Sequence, residues 1–203
     1  NRDHENWPWG MAPWEPEGEP SGKGVRKVTL PRPGHADLAG VLKYGHDDVR
    51  NALERASARH TAAHVAAGAV AKVVPGITVR GAAVEVGGAT GDDGMREATD
   101  RARKARDTLG GIVEVVAEGC PPGLGSYAEK AERLDARLAF ALMGIQAVKG
   151  VEVGDGFALA RVPGSEAHDE LEPGITRRSN RAGGLEAGMT NGEPVVVRAA
   201  MKP

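Results

Sequence analysis

Leu134, Leu138, Leu142, Ile145 and Val148 recur at helical spacing and form one apolar stripe. No other feature constrains the fold of this chain as much. Phe140, Ala141 and Met143 widen the stripe, so the pattern predicts a helix from Lys130 to Lys149 that is buried from more than one side. Strand patterns flank it in sequence. From Gly111 to Gly119, Val113, Val115 and Ala117 point one way and Glu114 and Glu118 the other, as in a sheet with one wet face. Cys120-Pro121-Pro122-Gly123 ends that run. Val195 to Ala200 is a second strand pattern. A long buried helix between strands implies a layer of helices with sheets packed against it. Aromatic residues are only 3% of the chain while hydrophobic residues are 40%, so this core has to be built from Ala, Val, Leu and Ile.

The remaining segments are read in the same way. Residues 1–34 are rich in proline and glycine and show no period, which predicts an extended loop region, with residues 35–203 as the central part of a single domain. Trp7, Trp9 and Trp14 are candidate anchors for that loop, or simple loop packing. Asp47 to Val74 reads as one helix, with Asp47 and Asp48 in its first turn and Pro75-Gly76 as its stop. Ile77 to Val86 is strand-like, Gly87 to Gly94 a turn-rich break, and Met95 to Asp107 a charged helix. Glu97/Arg101 and Asp100/Lys104 stand at i, i+4 on its solvated face. Pro163 to Gly188 has no clear period and reads as a functional or disordered stretch.

Bulk properties exclude several classes. The 203 residues fit one domain or part of a larger one, and the net charge of −2 without a basic block argues against a nucleic-acid surface. No apolar run is long enough for a membrane span, and no signal segment opens the chain. Cys120 is the single cysteine and cannot form an internal disulfide, which suits a reduced, cytoplasmic protein. A first residue that is not Met, and an end directly after a strand pattern, predict an internal segment of a longer protein.

The candidate chemistry lies in two short strings, Arg32-Pro33-Gly34-His35-Ala36-Asp37 and Glu54-Arg55-Ala56-Ser57-Ala58-Arg59. They set a histidine, arginines and a serine beside small residues that leave room for a ligand. That is a setting for an anionic, phosphorylated small molecule. His35, held between Pro33-Gly34 and Ala36, suits proton transfer near neutrality, although loop histidines are often structural. Arg55 and Arg59 lie four apart on the expected helix and would share a face able to grip phosphate or carboxylate. They could equally be surface arginines, one of them bonded to Glu54 or Asp48. His60 and His64 have the spacing of a zinc-binding helix, but Thr61 stands where a water-activating glutamate would be, and no third ligand follows nearby. No metal site is therefore expected. Asn180, Arg181, Gly183, Gly184 and Gly188 could let backbone amides approach an anion.

Taken together, RPGHADLAGVLKYG at 32–45, ERASARHTAAHVAAGAVAK at 54–72, DTLGGIVEVVAEGCPPGLGS at 107–126, LDARLAFALMGIQAVKGVEVGDGF at 134–157 and NRAGGLEAGMTNGEPVVVRAAMKP at 180–203 resemble the chorismate synthase family, in the family order. The resemblance implies an α+β fold, a β-α-β sandwich of which this chain is an incomplete portion. It implies a cytoplasmic carbon–oxygen lyase of the shikimate pathway that converts 5-enolpyruvylshikimate 3-phosphate to chorismate and phosphate. The overall anti 1,4-elimination uses reduced FMN, with NADPH as a candidate reductant, and the usual assembly is a homotetramer. By the same resemblance His35 is the catalytic histidine that protonates the reduced flavin, and Arg32 and Arg59 bind substrate. Arg55, Ala56, Ser57, Gln146, Ala147, Ala187 and Lys202 contact FMN.

The sequence also departs from the family pattern. The GESHG segment with its second histidine, the arginines that accompany it and the C-terminal Arg and Asp of the family site are absent. His60 and His64 stand where glutamate and arginine are more usual. The alternative from another class is a catalytically silent fragment that binds flavin weakly or only assembles with partner chains.

Overall fold

The computed structural model describes residues 26–203. Trp7, Trp9 and Trp14, with most of the extended region expected over residues 1–34, lie outside the described residues. The chain falls into two compact units, one ending at His60 and the other running from Thr61 to Pro203.

The first unit is a pair of short helices, α1 (Asp37–Tyr44) and α2 (Arg50–Arg55). Asp37 places a carboxylate in the first turn of α1, where the helix dipole favours it. Gly45, at φ 67°, ends the helix and returns its N–H to the Val41 carbonyl. The helices approach closely at Gly40, where an added Cβ would sit 2.8 Å from the Ala52 side chain. Asp48 fastens the incoming segment. It accepts hydrogen bonds from the Val28 N–H, the Arg50 N–H and the Arg50 side chain, while Lys27 pairs with Asp47.

The single helix expected over 47–74 does not form. α2 stops at Arg55, a 3₁₀ turn covers Ala58–His60, and a separate helix, α3 (Thr61–Ala71), follows. The cause is local. The Ser57 hydroxyl accepts the Arg59 N–H at 3.4 Å and the Ser57 carbonyl accepts the His60 N–H at 3.1 Å, an alternative to helical hydrogen bonding that serine offers readily.

The second unit is built on a five-stranded antiparallel sheet. Its strands are β1 (Thr78–Val86), β2 (Ala89–Thr90), β3 (Gly111–Glu118), β4 (Val148–Val153) and β9 (Val195–Met201), in the order β2-β1-β3-β9-β4. Between β2 and β3, helix α4 (Asp92–Ala105) packs on β1 and β2, with Ala98 buried beneath it. Glu97 pairs with Arg101 as expected, but Asp100 pairs with Arg103, one residue before Lys104. Helix α5 (Leu134–Met143) precedes β4 and lies on one sheet face. There Leu134, Leu138 and Leu142 meet Val151, Val153, Ala117, Ile77 and the buried Cys120, Leu185, Val195 and Val197. The alternation read in β3 is real. Ala117 belongs to this core, and Val115 sits opposite the buried Val197. Glu114 and Glu118 meet Arg198 and Arg80 on the other face.

The helix expected over 130–149 is shorter and less buried. Its first turn is 3₁₀ (Lys130–Glu132), Gly144 ends it, and Val148 belongs to β4 rather than to the helical stripe. Phe140 is 84% exposed and Met143 is exposed as well, so within the described chain α5 is covered on one side only.

The aperiodic stretch 163–188 is ordered by side chains rather than by regular structure. It holds a single helical turn, α6 (Gly164–Ala167), the hairpin β5 (Leu171–Glu172) with β6 (Thr176–Arg177), and β7 (Leu185–Glu186), which pairs with β8 (Met189–Thr190). The Asp169 carboxylate accepts hydrogen bonds from Ser179 Oγ at 2.5 Å, the Arg181 N–H at 2.8 Å and the Ala182 N–H at 2.9 Å. Arg177, its side chain largely buried, donates from Nε and Nη2 to Glu186 and from Nη1 to the Asn191 carbonyl. No described helix is long and apolar enough to cross a membrane.

Candidate functional site

The residues of the first string form a closed loop before α1. Asp37 is fully buried. It accepts the Arg32 backbone N–H at 3.0 Å, Arg32 Nε at 2.9 Å and Arg32 Nη2 at 3.0 Å. The guanidinium fork and the carboxylate meet in the bidentate geometry that makes such pairs strong. These hydrogen bonds from the Arg32 side chain and backbone outweigh the burial of Asp37 and hold its carboxyl down from 3.8 to about 2. Inside the loop Gly34 takes φ 68°, a left-handed conformation that glycine adopts without strain. His35 is exposed, and its Nδ1 lies 2.8 Å from the Pro33 carbonyl oxygen. The Nε/Nη2 edge of Arg32 is engaged by Asp37, so a ligand would meet the opposite edge of that guanidinium.

The second string is split by the break in the helix. Arg55 is exposed at the last position of α2, and Ala56 closes that helix with an N–H to the Ala52 carbonyl. Ser57 is half-buried and makes the turn described above. Arg59 lies in the 3₁₀ turn and pairs with Glu54 at 2.9 Å. Arg55 and Arg59 therefore do not share a helical face, which corrects the spacing argument. Arg59 has the Glu54 partner that the alternative reading allowed, and Asp48 is taken by Arg50. His60 ends the 3₁₀ turn and His64 lies within α3, so the two histidines do not sit on one continuous α-helix. Among the described residues no three His, Cys, Asp or Glu side chains cluster to hold a metal ion.

In the second unit the structure brings Gln146, Ala147 and Lys202 together. Ala147 has φ 71°, a left-handed conformation costing an alanine roughly 1 kcal/mol or more, and such positions concentrate at functional sites. It turns the chain from α5 into β4, and its carbonyl accepts the Lys202 N–H at 3.0 Å just beyond β9. Gln146 is half-buried and lines a cavity of 670 Å³ with Thr61, His64, Phe140 and Met143, a mainly apolar surround. Ala187 is elsewhere. It is exposed in the turn between β7 and β8 at φ 50°. The following residue, Gly188, accepts the Leu134 N–H at the start of α5. Gln146 follows the far end of α5, so roughly 15 Å of helix separates the two places.

One residue of this geometry escaped sequence reasoning. Asp37 was visible only as the last letter of its motif. The usable signal was an acid five residues after Arg32 across a Pro-Gly turn, a spacing that can close a loop on itself.

Comparison with known proteins agrees with the fold and the strings. The family model described as chorismate synthase matches residues 1–203. A chorismate synthase of Desulforudis audaxviator is 52% identical over 236 residues, covering 100% of this chain and 60% of that protein. One from Caldanaerobacter subterraneus is 49% identical over 210 residues, covering 100% of this chain and 56% of its own length. A solved structure titled "Crystal Structure of Chorismate Synthase" superposes with a TM-score of 0.77 at 41% identity, over 83% of this chain and 62% of that one. The chain thus spans about 60% or less of the length of these two curated relatives. With its antiparallel sheet, its packed α5 and its motif order matched across the whole sequence, this α+β chain belongs to the chorismate synthase family.

Proposed function

We propose that the chain carries out the family reaction, conversion of 5-enolpyruvylshikimate 3-phosphate to chorismate and phosphate by an overall anti 1,4-elimination. The observation that carries this reading is identity near 50% with curated chorismate synthases across the whole chain. In this reading His35 is the proton donor on the loop before α1, and Arg32 and Arg59 meet the anionic groups of the substrate. Reduced FMN would be held by Arg55, Ala56, Ser57, Gln146, Ala147, Ala187 and Lys202.

Three residues of the second unit, Gln146, Ala147 and Lys202, fit such a group, whereas Ala187 stands apart from them. The mainly apolar cavity beside Gln146 suits a flat ring, and Ala147 adds no bulk. Lys202, joined to Ala147 through the backbone, supplies a cation for a phosphate. When bound, the reduced flavin supplies electron density to a reaction with no net redox change. Exposed His35 can hold or give a proton at Nε2, because Nδ1 faces a carbonyl oxygen. We further propose a cytoplasmic homotetramer, with NADPH as the source of reducing equivalents.

The test is phosphate release from 5-enolpyruvylshikimate 3-phosphate, under anaerobic conditions with chemically reduced FMN. Chorismate formed in step with phosphate is the expected result. Phosphate release without chorismate, or neither product while FMN binds, would reject the reading for this chain.

A further inference from the structure

We infer that Asp37 is a positioning residue: by clamping Arg32 it closes the 32–37 loop and presents His35 with Nδ1 protonated and Nε2 turned to the reacting partner. The role of His35 rests on the reading above, whereas the clamp and the tautomer stand on geometry alone.

Three hydrogen bonds, from the backbone N–H, Nε and Nη2 of Arg32, converge on a carboxylate with no solvent exposure. They join the first and last residues of a six-residue segment whose middle carries Pro33, Gly34 and His35. Segment closure brings the Pro33 carbonyl oxygen to 2.8 Å from His35 Nδ1. A carbonyl oxygen only accepts, so Nδ1 must be the donor, and in the neutral ring the lone pair is on Nε2. An unconstrained neutral imidazole prefers the other tautomer, with the proton on Nε2. The loop therefore selects the minority form. In it, Nε2 is the only ring atom that can take up or release the proton in exchange with a bound partner.

No hydrogen bond joins Asp37 to His35, although the imidazole lies close enough for its charge to act on the carboxylate. The clamp itself acts on the ring through the shape of the loop. The depressed carboxyl of Asp37 keeps the clamp charged throughout the neutral range. Arg32 is thereby assigned a second duty, which also fixes which of its edges a ligand can reach.

The experiment is long-range ¹H–¹⁵N correlation of the imidazoles in the ¹⁵N-labelled chain at alkaline pH, with the His35 signals identified through His35→Gln. The wild-type chain should show His35 as the Nδ1–H tautomer. Asp37→Asn should shift it toward Nε2–H, with the amide signals of α1 and of the β-sheet unit retained. Arg32→Gln, whose side chain is half-exposed, should do the same and stands in if Asp37→Asn loses α1. An Nε2–H pattern in wild type, or Nδ1–H persisting in both variants, overturns the inference.

In the lyase assay Asp37→Asn should lower kcat about tenfold to a hundredfold, the lower part of the range for acid–base groups, with KM changed far less. A wild-type chain without activity would remove the functional reading and leave the tautomer result standing. An active wild type whose Asp37→Asn variant keeps its kcat would remove the inference and leave the functional reading standing.

Discussion

Replacing Arg198 with Met would take the central cation out of a row of three charges that runs across the sheet. Arg198 on β9 lies directly opposite Glu114 on β3 and Glu152 on β4. Its Nε is 2.8 Å from Glu114, its Nη1 is 3.4 Å from Glu152, and all three side chains are about one quarter to one third exposed. Two cross-strand ion pairs contribute together about 0.4–2 kcal/mol. Their loss leaves two glutamates on either side of an uncharged Met, about 9.6 Å apart by the spacing of neighbouring strands. At that distance the repulsion is about 0.4–1.7 kcal/mol for an effective dielectric between about 80 and about 20. Salt screens much of it, so the expected loss is about 1–3 kcal/mol at low ionic strength and clearly less in high salt. Urea unfolding followed by circular dichroism at two salt concentrations reads this directly. The triple variant Glu114→Gln, Glu152→Gln, Arg198→Met should regain the repulsive part, because nothing charged remains to repel. A destabilisation that is the same in low and high salt, or a triple variant no better than Arg198→Met alone, would show that packing of the Arg198 stem and not its charge holds this face.

Other outcomes follow from the same structure. Val197→Ala, at a position 5% exposed beneath α5, should lower stability by about 1.5–3 kcal/mol in urea titrations, because two methyl groups leave a packed core. Gly183→Ala should be worse than a typical surface change. Gly183 has φ 63° and an added Cβ would collide with the Gly154 backbone, so a loss of about 2–4 kcal/mol is expected and an unchanged Tm would contradict the packing argument. Asp169→Asn should expose the Arg181 and Ala182 amides to hydrogen exchange while those of β3 stay protected. Asp37 and Asp48 both titrate at about 2, Asp37 through Arg32 and Asp48 through Arg50. Their folded values lie below the ordinary 3.8, so their contribution is complete above that pH and is lost as pH falls toward 2. The amide signals of α1 and α2 should therefore weaken in an acid titration between about pH 4 and pH 2, and Asp37→Asn should flatten that response.

Regular periodicity was the legible part of the fold. The alternation of β3 and β9 and the leucines of α5 place the core where the structure has it, because burial on one face leaves a direct imprint on side-chain choice. The helix ends were less legible. Serine at position 57 competes with helical hydrogen bonding through its own hydroxyl and carbonyl, a tendency that lowers its helix propensity but does not say where a helix breaks. Phe140 read as a buried residue because a stripe of apolar side chains does not say whether its second side is covered within the same chain. The candidate site was legible as motifs, since Pro33-Gly34 around His35 and the alanines near Ser57 are unusual as strings. Its internal wiring was not. The Glu54 partner of Arg59 was one of the alternatives its spacing allowed, but the closure of the Arg32–Asp37 clamp depends on the path of the intervening turn, and the left-handed Ala147 on backbone geometry that no linear pattern encodes.

The placing of β9 between β3 and β4 has a consequence for how the sheet is made. β3 and β4 do not pair with each other; β3 has β1 along one edge, but its second edge and β4 find their partner only in residues 195–201, far downstream. During synthesis the earlier strands must therefore wait with unpaired backbone edges, which are templates for pairing with other chains. The bridge that completes the sheet is a contact of long sequence separation, which slows folding. Assembly of this unit is gated by emergence of a single strand. Its window of vulnerability to aggregation closes only when Val195–Met201 slides into the gap.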